Sequence, residues 1–123
     1  MHELLFWLYL INSVLIINHE IDSAYFQEWK LFNLPGGIKS FLIIHFFILF
    51  FILYGLVLVS KDAPLGLLFS LLLSIGGIFA FIIHMYFLKT GRKEFRSFIS
   101  IFILAATFVV SIVQIITLVL TIL

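Results

Sequence analysis

Twelve residues near the start, Asn18 to Trp29 (N-H-E-I-D-S-A-Y-F-Q-E-W), carry three of the six carboxylates, Glu20, Asp22 and Glu28, and one of the four histidines, His19. Two more histidines, His45 and His84, stand alone inside long apolar runs. Ionisable groups in such runs are costly, about 2.5–3.5 kcal/mol for Asp, Lys or Arg at mid-helix on insertion scales, so each needs a partner or a task. Neutral imidazole with a carboxylate suits a divalent metal, with Zn or non-haem Fe favoured. The expected ligands are His19, His45 and His84, with Asp22 or Glu20 as the fourth ligand or as base for a bound water. Asp22 follows His19 by three positions and shares its face if the helix continues. Glu20 lies off that face and suits a supporting role. A site with an open position could hydrolyse a lipid-like substrate at the membrane surface. No H-E-x-x-H or H-x-x-x-H motif is present, so each histidine must come from a different element.

Three other functions fit the same residues. His45 and His84 could hold a haem as axial ligands, in an interior rich in phenylalanine (16 residues). The His/Asp/Glu group could form a proton or ion relay, continued by polar residues of the last apolar run. The chain could also be a small structural subunit. In the plainest reading, His45 and His84 each bond a nearby hydroxyl or carbonyl and pin helices together.

Four apolar segments must position these groups. The spans expected are residues 4–19, 38–59, 65–88 and 98–123, joined in the first gap by a short amphipathic interfacial helix within 20–34. Tyr25 and Trp29 suit headgroup depth, as does Trp7. Pro35-Gly36-Gly37 ends the interfacial stretch, and Pro64 is placed to open the third span. Gly66, Ser70, Ser74, Gly77 and His84 share one face of that span, a small-residue stripe that admits a close helix. Ser100, Thr107, Gln114 and Thr121 recur every seventh residue in the fourth span, with Ser97 and Ser111 alongside. That seam must face protein rather than lipid. The expectation is therefore an all-α integral membrane four-helix bundle in a single domain.

Composition agrees. Of 123 residues 64% are hydrophobic and 11% charged, with a mean hydropathy of +1.31; a soluble domain carries about 25% charged residues. No cysteine is present, which excludes thiolate ligands, a Cys nucleophile and disulfides. The net charge of +1 and the small basic loop offer too few phosphate contacts for nucleic acid. Membrane lipids are the expected partners, with a homo-oligomer or larger membrane complex open. No basic leader with a cleavage site precedes the first span, which is read as a true membrane helix.

Lys30, Lys39, Lys89, Arg92, Lys93 and Arg96 fall on one side of the four spans and Lys61 on the other. The richer side is expected to be cytoplasmic, with both termini outside. His45 then lies roughly 10 Å and His84 about 6 Å from that side at 1.5 Å per residue. His19 sits at the same end, and His2 at the opposite one.

The opening M-H-E-L-L-F-W-L-Y-L-I-N-S, the run N-H-E-I-D-S-A-Y-F-Q-E-W and the later L-P-G-G-I resemble a family of small four-span bacterial membrane proteins of uncharacterised function. The N-H-E-x-D-x-A-Y run carries most of the resemblance, which covers about the first 45 residues in motif terms. It implies the four-span fold and an inner-membrane location. It assigns no activity.

Overall fold

The computed structural model describes residues 2–92 and 96–123, so Lys93 of the basic loop lies outside the described residues. Among these residues five helices follow one another: α1 His2–Tyr25, α2 Glu28–Leu31, α3 Gly37–Ser60, α4 Pro64–Lys89 and α5 Phe98–Ile122. Among the described residues there is no strand. α1, α3, α4 and α5 are each long and apolar enough to cross a membrane. The chain is an all-α four-helix bundle, and its composition makes it a multi-pass membrane protein.

Local signals set the helix ends. Pro64 opens α4, where its missing N–H costs nothing, and Ala63 before it is extended. Ser97 caps α5 by accepting a bond from the Ser100 backbone N–H at 3.2 Å. α1 does not stop at His19 but continues to Tyr25. It breaks at Gln27, whose φ of 55° is left-handed. The helical periodicity of the first connection is thus shared: its beginning is the last turns of α1, and the separate helix is the single turn Glu28–Leu31. Gly36, at φ 95°, provides the second reversal, a conformation that costs a side chain-bearing residue more.

The bundle is inverted relative to a soluble protein. Twelve buried polar residues stand beside ten buried hydrophobic ones among the described residues, while Phe46, Phe47 and Phe50 are each about two-thirds exposed. Lipid as solvent explains this, because apolar side chains gain little by leaving it and polar ones gain much. α5 packs most extensively on α4 and α1, and Ser100, Thr107, Ser111 and Gln114 of its seam are buried, whereas Thr121 is half-buried and Ser97 is exposed. Gln114 donates to Ser70 Oγ at 2.8 Å and accepts from Asn12 Nδ2 at 2.8 Å, and Asn12 also donates to Ser111 at 3.0 Å. One amide thereby ties three helices. α3 is more peripheral; it is held by the Tyr9 hydroxyl, which donates to the Ile52 carbonyl at 2.8 Å. Gly55 is where Tyr9 and Phe69 come so close to α3 that a Cβ would strike both.

Candidate functional site

His84 lies near the end of α4, fully buried, and its Nδ1 is 2.7 Å from the Ala80 carbonyl one turn earlier. A carbonyl can only accept, so Nδ1 carries a proton and Nε2 is left for a second partner. That atom faces Glu28 Oε1 at 3.3 Å. A proton shared with the carboxylate, or a cation held by both atoms, suits that approach. His45 repeats the arrangement on α3: its Nδ1 is 2.7 Å from the Phe41 carbonyl, and its Nε2 bonds Glu20. The i−4 carbonyl clamp fixes each ring, as a backbone carbonyl does behind many metal-bound histidines.

The third imidazole distinguishes the two pairs. His19, also buried, sets its ring edge-to-face on His84 with centroids 4.6 Å apart. His19, His84 and Glu28 each offer one ligand atom, and these lie within 4.8 Å of one another. Ser23, one turn beyond His19, bonds Glu28 and lies 3.4 Å from His19 Nε2. Burial pushes the Glu28 carboxyl up, but hydrogen bonds from His84 and Ser23, with the two imidazoles, outweigh it and hold the carboxyl below its usual range.

His19 and His84, both expected at the same end of the spans, lie ring against ring. His45 falls outside the three-ligand group and is paired with Glu20 instead. Asp22, half-buried on α1, is also outside it. Glu28, treated in the sequence only as part of the acidic stretch, supplies the carboxylate. Its place depends on the left-handed turn at Gln27, which folds the chain back over α1 and breaks the helical spacing that would have ranked it. His2, at the far end, meets Asp62 at 3.3 Å on the surface.

The His45–Glu20 pair and the carboxylate of Glu28 border a cavity of about 320 Å³, which His84 and His19 do not line. Glu20, Glu28 and His45 form its polar end, and Phe41, Ile44 and Ile48 of α3 its apolar wall. Fold and site together define a multi-pass membrane protein with a buried two-histidine, one-glutamate cluster beside an amphipathic cavity. The chain belongs to DUF6713, a family of unknown function, whose model matches residues 5–121. Comparison with curated proteins and with solved structures found no match.

Proposed function

We propose that the protein is a metal-dependent membrane enzyme whose divalent ion is held by His19, His84 and Glu28, with hydrolysis of an acyl amphiphile as its reaction. The observation carrying this reading is the convergence of three ligand atoms from α1, α2 and α4 within 4.8 Å. Two histidines and one carboxylate form a known hydrolytic zinc set and also a non-haem iron set. Zinc is the better fit to simple hydrolysis, since an ion held there would supply Lewis-acid polarisation of an acyl carbonyl. Glu20, oriented by His45, accepts the proton of the attacking water. The water oxygen bonds to the acyl carbon, the acyl–oxygen or acyl–nitrogen bond breaks, and the proton passes to the leaving group. One water is consumed, and an acid with an alcohol or amine is released. The basic end, with Lys30, Lys39, Lys89, Arg92 and Arg96, is assigned to the cytoplasm, in a bacterial inner membrane.

Elemental analysis of detergent-purified protein tests this. Zinc or iron is expected near one per chain, lost in H84A and E28Q and retained in H45A, which loses turnover. Metal retained at full occupancy in both H84A and E28Q overturns the ligand set, and a Soret band overturns it in favour of haem. A second reading rests on the same approach of His84 Nε2 to Glu28: a shared proton satisfies the two groups as well as a metal does, which makes the cluster a proton relay. Absence of any copurified or rebound metal selects that reading.

A further inference from the structure

The cavity beside the cluster differs from an aqueous cleft in where it opens. Ile44 and Ile48 of its wall are 48% and 37% exposed, and Phe79 of α4, which also lines it, is 60% exposed. All three sit on apolar spans, so this flank of the cavity borders the acyl chains, while exposed Leu34 and Pro35 line its other end, just before α3. From Phe41 to Ile48 the wall runs along two turns of α3, roughly 10 Å at the helical rise. At about 320 Å³ the space matches the lower end of ligand pockets, about 300 Å³, which suits one chain better than two.

The polar end is equally selective. Glu20 and Glu28 present carboxylate oxygens, and among the described residues no Lys or Arg lines the cavity. A phosphate head would meet these carboxylates with like charge. A full positive head would compete with the imidazoles that already match them, His45 on Glu20 and His84 on Glu28. What the acceptors leave room for is an uncharged head that donates hydrogen bonds. We infer that the cavity seats a neutral, hydroxyl-headed, single-chain amphiphile of the monoacylglycerol class, entering laterally from the bilayer with its chain along α3. Its role as substrate rests on the metal reading above, whereas its seating in the cavity does not.

Trp29 lines the cavity, and Trp7 is the only other tryptophan. In W7F protein reconstituted in phosphatidylcholine vesicles, Trp29 fluorescence reports on the cavity. Monoacylglycerol brominated on its chain is expected to quench Trp29 with a saturating curve. Its efficiency per bromine should be about tenfold that of chain-brominated phosphatidylcholine, a difference of about 1.4 kcal/mol in seating. I44F, at a lipid-facing position of the wall, should return the curve to the linear phosphatidylcholine slope. Equal linear quenching by both lipids overturns the inference. Preferential quenching by a brominated phosphatidic acid or long-chain amine overturns the assignment of the head. Metal content measured on the same samples separates the two proposals. Saturable quenching without metal sinks the metal centre alone, and metal with linear quenching sinks the cavity assignment alone.

Discussion

His45 and His84 are both clamped at Nδ1 by the carbonyl one turn earlier and both aim Nε2 at a glutamate, yet only His84 has a second imidazole beside it. The difference predicts different behaviour at the residue scale. H19A should weaken metal binding by about 10–100-fold or more, as loss of a ligand exceeds loss of a supporting group, while H45A leaves it within a few-fold; isothermal titration with zinc checks this. Glu28 gives a pH dependence in metal-free protein. Its carboxyl is held below the usual range, with His84, His19 and Ser23 facing it. The stability it adds is complete above the unfolded carboxyl value, about 4.3, and lost as pH falls through the lower folded value. E28Q should flatten that acid limb in detergent unfolding. The histidines were legible in the sequence because a lone imidazole in an apolar run stands out. Glu28 was not, because the Gln27 turn that delivers it has no helical spacing to read.

The helices are held by polar contacts where a soluble bundle would use leucine. α5 was readable as a buried seam because Ser100, Thr107 and Gln114 recur at seven, and all three are indeed inside. The partners of that seam were less legible, since Asn12 meets Gln114 across 102 positions of chain. Gln114→Leu removes bonds to both Asn12 and Ser70 and should destabilise the bundle by about 1–2 kcal/mol in SDS titration. Two adjacent glycines of α4 make a sharper pair. A Cβ at Gly77 would collide with Thr107 Cγ2 at 2.8 Å and with Ser111, whereas one at Gly76 meets nothing within 4 Å. G77A should cost about 1–3 kcal/mol through overpacking. G76A should add about 0.5–1 kcal/mol, since alanine loses less backbone entropy than glycine in a helix. The end of α1 marks where hydropathy misleads: apolar residues thin out after His19, but backbone hydrogen bonding continues to Phe26 N–H on the Asp22 carbonyl.

Across the whole molecule, one end gathers the cluster, the cavity and the basic loops, and the other carries the His2–Asp62 pair. Because the chain has no cysteine, single-cysteine variants report sidedness cleanly. T90C is expected to react with a membrane-impermeant maleimide only in inverted vesicles, and S60C only in right-side-out ones; the reverse pattern inverts the assigned orientation. Lateral entry past Ile44, Ile48 and Phe79, as inferred above, carries a kinetic consequence. A catalyst fed through its flank samples the two-dimensional fluid around it, so its saturation is governed by surface mole fraction. Adding inert phospholipid at fixed bulk concentration would therefore slow it, although nothing in the aqueous phase had changed.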